Sequence, residues 1–159
     1  MPSIARIEGF CLGGGLEVAA ACDLRIGTAG SQYGMPETQV GLPSVIEARL
    51  LPTLIGWGHT REILYRGNIF GAEEAQRMGF LQKLVPEGQA DAGMQPWVDD
   101  ILRADPAAIR TQKRLIEDWL ESAPAVGVQA SIDAFAATFH SDAPTRRLRA
   151  FMNRPRGKK

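Results

Sequence analysis

Two glutamates and a run of three glycines are the residues in this sequence best suited to chemistry. Glu17 follows the run Gly13-Gly14-Gly15, and Glu37 lies twenty residues further along the chain. A glycine turn from a strand into a helix presents free backbone N–H groups at the positive end of the helix dipole, which favours negative charge. Glu17 would repel a bound pyrophosphate, but it could exchange protons with a substrate on which charge develops only transiently. The pattern is compatible with acid–base chemistry on an enolate or tetrahedral oxyanion. The alternative is a tight turn in which Glu17 complements the helix dipole.

Other ligand and nucleophile patterns fit this sequence poorly. Val18 occupies the place of the last glycine in a dinucleotide fingerprint, and no Gly-Lys-Ser/Thr phosphate loop occurs. Cys11 and Cys22 form no Cys-x-x-Cys pair, and with only His59 and His140 a zinc site is not predicted. Both cysteines are expected to be small buried apolar residues in a reducing compartment. A nucleophilic role for Cys11, beside the glycine loop, stays open.

The elements that must position these residues follow from the hydrophobic pattern. A buried strand is predicted over residues 3–7, followed by the glycine turn and an alanine-rich helix packed on all sides. Two short strands are predicted at 24–27 and 31–33, and another at 81–85. Ser44 and Glu47 match a capping box, which predicts a helix over 45–55. Further helices are predicted at 60–65, 72–78, 90–104, 106–122, 125–139 and 144–154.

Composition and charge limit the classes of function. The 159 residues fit one domain of ordinary globular composition, with 45% hydrophobic and 23% charged residues. Seven of the 18 bases lie in the last fourteen residues, which hold no acid, so residues 1–145 carry 11 bases against 18 acids. This acidic body makes general nucleic-acid binding unfavourable. No apolar stretch reaches the length of about 20 residues that a membrane span needs, and a cytoplasmic protein is expected.

The segment PSIARIEGFCLGGGLEVAAACDLRIGTAGSQYGMPE resembles the central signature of the enoyl-CoA hydratase/isomerase (crotonase) family. The resemblance covers the glycine run, the glutamate helix and the Pro-Glu pair, and it continues more weakly through most of the chain. It implies an α/β fold, part of the crotonase β-β-α spiral with a helical C-terminal region. By this resemblance Glu17 and Glu37 match the two catalytic glutamates of the hydratases, and the Gly14 N–H matches one side of the oxyanion hole.

The resemblance implies syn addition of water to a 2-enoyl-CoA thioester, with Glu37 as base and Glu17 as acid. The expected partners are an acyl-CoA substrate and further copies of the chain in a trimer or hexamer. Coenzyme A belongs to the substrate, and no separate cofactor or metal is expected. Phe151 and Arg154 match positions that help to enclose coenzyme A. We expect the two glutamate carboxyl groups to lie within about 6 Å, close enough to share a water.

Two departures from the family pattern qualify these expectations. Where hydratases usually carry a glycine-rich segment after the second glutamate, this chain has Pro43-Ser44-Val45-Ile46-Glu47. Glu47 is therefore a candidate third acid, although the capping box with Ser44 is the preferred interpretation. The chain also resembles only the C-terminal three-fifths of the usual family sequence, with residues 1–86 as a truncated spiral core. Residues 87–159 would form the helical region that supports oligomerisation and closes the coenzyme A cleft.

A shortened chain leaves several alternatives open. The missing part could be supplied by another chain, or the reading frame could be truncated. Besides hydration, the function could be double-bond isomerisation, which one carboxylate can perform, or noncatalytic assembly. We expect the isolated chain to be nearly inactive, because one oxyanion donor and much of the coenzyme A cleft would be absent. The opening strand and the helix over 16–22 would then be bare surfaces that invite association.

Overall fold

The computed structural model describes residues 1–122 and 124–153, without the side chains of residues 124, 125 and 151. The chain divides into two compact units, Pro2–Asp99 and a second unit that begins at Asp100. The first unit mixes short strands with helices, and the described part of the second is helical. A division at residue 86, after the last strand, stays a prediction.

The first unit opens with two strands, the glycine turn and a helix, where the sequence predicted one strand before the turn. Its strands are β1 (Ile4–Ile7), β2 (Phe10–Leu12), β3 (Leu24–Thr28), β4 (Gln32–Gly34), β5 (Ile69–Gly71) and β6 (Lys83–Val85). Its helices are α1 (Gly14–Ala21), α2 (Leu51–Arg66), α3 (Ala72–Arg77) and most of α4 (Ala90–Arg103). Two short 3₁₀ helices, Pro36–Val40 and Ile46–Leu50, lie between β4 and α2. We call Pro36–Val40 the Glu37 turn.

The strands form two three-stranded sheets. One has the order β1-β3-β6 with every pair parallel, and the other has the order β2-β4-β5, with β2-β4 parallel and β4-β5 antiparallel. The first four strands alternate between the two sheets, so β1 pairs with β3 and β2 pairs with β4, whereas β5 follows β4 in the same sheet. The predicted α/β class is confirmed. β1 and β2 are edge strands within the described residues, as expected for the opening strand.

The core of the first unit lies around β4 and α1. Tyr33 and Met35 are fully buried, and the Tyr33 ring packs against Phe70 and Phe80 with centroid distances of 6.1 and 5.8 Å. Burial raises the pKa of Tyr33 to about 12, while the hydroxyl of Ser31 is within hydrogen-bond distance of its phenol oxygen at 2.8 Å. The Glu37 turn thus starts directly after a strand that is fixed in the core.

Three expectations about the elements need correction. β2 and β5 were not predicted, because each leads directly into the glycine turn or a helix and shows no separate strand pattern. Helix α1 is not packed on all sides: Leu16, Glu17, Ala19 and Ala20 are buried, but Val18 is 69% exposed. The capped helix over 45–55 is also wrong. A 3₁₀ helix covers Ile46–Leu50, and α2 begins only at Leu51, with a proline in its first turn.

The second unit contains α5 (Pro106–Glu121), α6 (Pro124–Thr138) and α7 (Ala143–Met152). The predicted cap of α5 is confirmed, since the Asp105 carboxylate accepts hydrogen bonds from the N–H groups of Ala107 and Ala108. Helices α5 and α6 are joined by a hydrogen bond from Trp119 Nε1 to Ser131 Oγ at 3.0 Å. In the part of the chain that the structure describes, no helix has both the length and the apolar character that a bilayer crossing requires.

Candidate active site

Gly13 connects the end of β2 to the start of α1 in a conformation that favours glycine. Its φ is +52°, and its N–H donates to the Gly34 carbonyl at 2.9 Å. Its carbonyl accepts the N–H groups of Leu16 and Glu17 at 2.9 and 3.1 Å, which starts the helix. A Cβ added at Gly13 would collide with Glu37 Oε1. The absence of a side chain at Gly13 therefore lets Glu37 approach this turn.

Gly14 is the first residue of α1, and its surroundings are open. The first N–H groups of a helix have no partner within the helix, so they are available to an acceptor outside it. Gly14 is exposed, and a Cβ built on it would meet no atom within 4 Å. A negatively charged ligand atom therefore has both a donor and space beside Gly14. Its assignment to an oxyanion hole stays a prediction.

Glu17 lies in the first turn of α1 and is only 9% exposed. Its side chain makes no hydrogen bond or ion pair within residues 1–122 and 124–153. A nearly buried carboxylate normally gains a partner, because removing it from water is costly. Glu17 therefore retains hydrogen-bonding capacity for a bound molecule or a water.

Glu37 is the second residue of the Glu37 turn and is half-buried. Its Oε1 lies against Gly13, and its Oε2 accepts a hydrogen bond from Ser44 Oγ at 3.3 Å. Its backbone carbonyl accepts the Leu42 N–H at 3.0 Å, which folds the following segment back over the turn. Gly13 thus contacts both candidate acids, Glu37 through its carboxylate and Glu17 through a backbone hydrogen bond. The expected 6 Å separation of the two carboxyl groups stays a prediction.

Arg25 is a site-supporting residue that the sequence analysis missed. It is 2% exposed and lies at the opposite end of α1 from Glu17. Its Nε donates to the Phe80 carbonyl and its Nη1 to the Cys22 carbonyl, each at 2.7 Å, with a further Nη1 bond to Ala19 at 3.2 Å. Burial lowers the pKa of the guanidinium below its usual range. A charged residue within an apolar strand pattern was the available signal.

The capping interpretation of Ser44 and Glu47 is wrong. The 3₁₀ helix that follows has Val45, not Ser44, at its N-cap, and no side chain caps it. The Ser44 hydroxyl is directed to Glu37 instead. Glu47 forms an ion pair with Arg49, with 3.8 Å between Oε2 and Nε. The role of Glu47 as a third acid stays untested.

Of the remaining candidates, one is a buried cysteine, and two lie where the structure does not describe the side chain. Cys11 is buried, and its Sγ is 3.5 Å from the Gly15 carbonyl, to which it donates. Burial, with a smaller contribution from Cys22, raises the pKa of Cys11 to about 11, which disfavours the nucleophilic thiolate. This supports the small buried apolar role. The Phe151 side chain and Arg154 lie outside the described residues.

The chain is similar in sequence to known proteins over most of its length. The sequence profile of the enoyl-CoA hydratase/isomerase family matches residues 1–157. The chain is 34% identical over 160 aligned positions to YngF of Bacillus subtilis, assigned as an enoyl-CoA hydratase/isomerase, covering 98% of this chain and 60% of YngF. It is 29% identical to the crotonyl-CoA hydratase of Syntrophomonas wolfei, covering 96% of this chain and 59% of that protein.

A solved structure gives the same result for the fold. The crystal structure of enoyl-CoA hydratase from Bacillus anthracis superposes with a TM-score of 0.90 at 31% identity, covering 96% of this chain and 59% of that one. The chain therefore spans about 60% of the length of these relatives. On the profile match and the shared fold, this chain belongs to the enoyl-CoA hydratase/isomerase family.

Proposed function

We propose that this chain provides the two-glutamate site of an enoyl-CoA hydratase, which adds water across the double bond of a 2-enoyl-CoA thioester. The observation that carries the proposal is the contact of Gly13 with both acid-bearing segments. Glu37 packs its carboxylate against Gly13, while Glu17 bonds to the Gly13 carbonyl one turn into α1. The family supports hydration as the reaction, because one relative is a crotonyl-CoA hydratase.

In the proposed reaction one water lies between the two carboxyl groups. Glu37 takes a proton from the water while the water oxygen bonds to the β carbon of the substrate. The electrons of the double bond then form a thioester enolate. Glu17 then gives its proton to the α carbon, and the two carboxyl groups titrate as a coupled pair. The Gly14 N–H would stabilise the enolate oxygen. Such a donor is worth about 2.7–4 kcal/mol of transition-state stabilisation.

The chain spans about 60% of the length of its relatives. For the whole protein we propose a complete coenzyme A cleft, an acyl-CoA substrate and a homo-oligomer. We propose that the chain corresponds to the C-terminal three-fifths of a typical family sequence. We propose the cytoplasm as its compartment, and its two free cysteines are compatible with a reducing environment.

An assay on crotonyl-CoA with Glu17→Gln tests the hydratase proposal. Since both carboxylates take part in hydration, the substitution should reduce turnover by about a hundredfold to ten-thousandfold. An isomerase that works through one carboxylate, assayed by conversion of a 3-enoyl-CoA to a 2-enoyl-CoA, would keep much of its turnover in either Glu17→Gln or Glu37→Gln. Replacing the exposed Glu73 with Gln is the matched control, because Glu73 lies on α3 outside the site.

We expect the isolated chain to turn over substrate far below the ordinary enzyme range of about 1–1000 per second. It spans about 60% of its relatives, and part of the cleft would lie in the rest of their sequence. Turnover within that range by a purified monomer would show that the site is complete in this chain. Oligomers without turnover would favour the noncatalytic assembly role.

A further inference from the structure

Ser44 is the one described side chain that hydrogen-bonds to the Glu37 carboxylate. The chain returns to Glu37 over seven residues, because Gly41 adopts a left-handed conformation with φ of +80° and Leu42 donates to the Glu37 carbonyl. Ser44 then lies half-buried with its hydroxyl 3.3 Å from Glu37 Oε2. Its hydroxyl caps no helix, so this contact is its role in the described structure.

The two oxygens of Glu37 have different surroundings. An ionised carboxylate only accepts hydrogen bonds, so the Ser44 hydroxyl must be the donor to Oε2. Oε1 faces Gly13, where no side chain separates it from the glycine loop. The distance of 3.3 Å exceeds the usual value of about 2.7–2.8 Å for bonds between two oxygens, which indicates an orienting contact of low energy.

We propose that Ser44 is a positioning residue that turns the Glu37 carboxylate so that Oε1 accepts the proton from the attacking water. This inference rests on the proposed hydratase function for its chemical meaning. With Oε2 engaged by Ser44, the free oxygen of Glu37 faces the turn that also starts the Glu17 helix. Loss of the Ser44 hydroxyl would free the carboxylate to rotate away from Gly13.

Crystal structures of the full chain with Ser44→Ala and Ser44→Thr test the positioning directly. In Ser44→Ala we expect the Glu37 carboxylate to leave Gly13, while Ser44→Thr, which keeps a hydroxyl, should hold it in place. Val45→Ala is the matched control, because Val45 is adjacent in sequence and 54% exposed. A Glu37 carboxylate that keeps its contact with Gly13 in Ser44→Ala overturns the proposal, whatever the activity.

Kinetics on crotonyl-CoA give the second readout. A misplaced base should lower kcat in Ser44→Ala by about twofold to tenfold with KM unchanged, and Ser44→Thr should restore it. Equal kcat in Ser44→Ala and wild type would overturn the proposal. If wild type and Glu17→Gln hydrate crotonyl-CoA equally, the proposed function fails, and the crystal structures still decide whether Ser44 positions Glu37.

Discussion

The two candidate acids are held by very different parts of the molecule. Glu17 is 9% exposed on a regular helix, and that helix is fixed by Gly13 at its start and by the buried Arg25 at its end. Glu37 is half-buried on a 3₁₀ turn, and its carboxylate accepts a long hydrogen bond from Ser44. The position of Glu17 is thus set by the core, whereas that of Glu37 is set by a local turn.

The segment after Glu37 sharpens the contrast. Its large apolar side chains are exposed rather than packed: Val40, Leu42, Val45 and Ile46. Ile46 also has a positive φ of +51°, an unfavourable conformation for a β-branched residue. Around α1, by comparison, Leu16, Ala19 and Ala20 belong to the main core cluster. Changes near Glu17 should therefore cost stability, whereas changes near Glu37 should alter the site and leave the fold intact.

Replacement of Arg25 should have the largest effect. In Arg25→Met the carbonyls of Phe80 and Cys22 each lose a charged hydrogen bond at 2.7 Å. Bonds to charged groups are worth about 1.5–3 kcal/mol each, so unfolding in urea should show a loss of at least about 3 kcal/mol. Arg66→Met is the control, since Arg66 is exposed and its ion pair with Glu62 should contribute less than about 1 kcal/mol. Equal losses in the two variants would contradict a special role for Arg25.

Alkaline pH should weaken the buried region next. Burial disfavours the thiolate and raises the pKa of Cys11 to about 11 in the folded chain, against 9.0 for an exposed thiol. The unfolded chain therefore releases this proton first, and the contribution of Cys11 to stability, complete below pH 9, is lost as pH rises to 11. The stability difference between wild type and Cys11→Ala should shift by about 2 kcal/mol against wild type over that window. A constant difference, measured by urea unfolding at several pH values, would show that Cys11 is not desolvated.

A side chain at Gly13 should disturb both regions at once. Gly13→Ala forces alanine into a positive φ and into collision with Glu37 Oε1, so we expect a loss of about 1–2 kcal/mol and a displaced carboxylate. Gly15→Ala is the matched control, because a Cβ there meets no atom within 4 Å and alanine favours helix by about 0.5–1 kcal/mol. Thermal unfolding and a crystal structure check both effects. A Gly13→Ala variant with wild-type stability and an unmoved Glu37 would refute the close approach.

Relief of strain at Ile46 should give the smallest effect. Ile46→Gly removes the cost of a left-handed β-branched residue, about 1–2 kcal/mol, and adds an entropic cost of about 0.5–1 kcal/mol. We expect a net gain of roughly 0.5–1 kcal/mol in the free energy of unfolding. Val45→Gly, at an extended φ of −135°, should instead lose about 0.5–1 kcal/mol. A loss in both variants would mean that Ile46 is not strained.

The glycine turn and α1 could be predicted from sequence because their signals are local. A glycine run, an adjacent acid and an alanine-rich segment lie within ten residues. The strands β2 and β5 could not, since each leads directly into the glycine turn or a helix and shows no period of its own. The buried Arg25 was missed because its partners are set by the fold: one of them is the Phe80 carbonyl, 55 residues away.

The wrong capping box shows how a local pattern is overridden. The spacing of Ser44 and Glu47 fits a helix start, yet the Ser44 hydroxyl bonds to a carboxylate seven residues earlier. Glu47 then pairs with Arg49, two positions on. Both partners were in the sequence, but only the fold-back after the Glu37 turn brings Ser44 to Glu37. The residue types of the candidate site were thus predictable, and the contacts that orient Glu37 were not.

The most direct test of the two-glutamate site is a high-resolution crystal structure of the chain that resolves bound water. The account predicts carboxyl groups of Glu17 and Glu37 within about 6 Å, with one ordered water hydrogen-bonded to both. Carboxyl groups more than about 10 Å apart in an ordered site, too far for one water to bridge, would contradict the assignment of this pair to hydration.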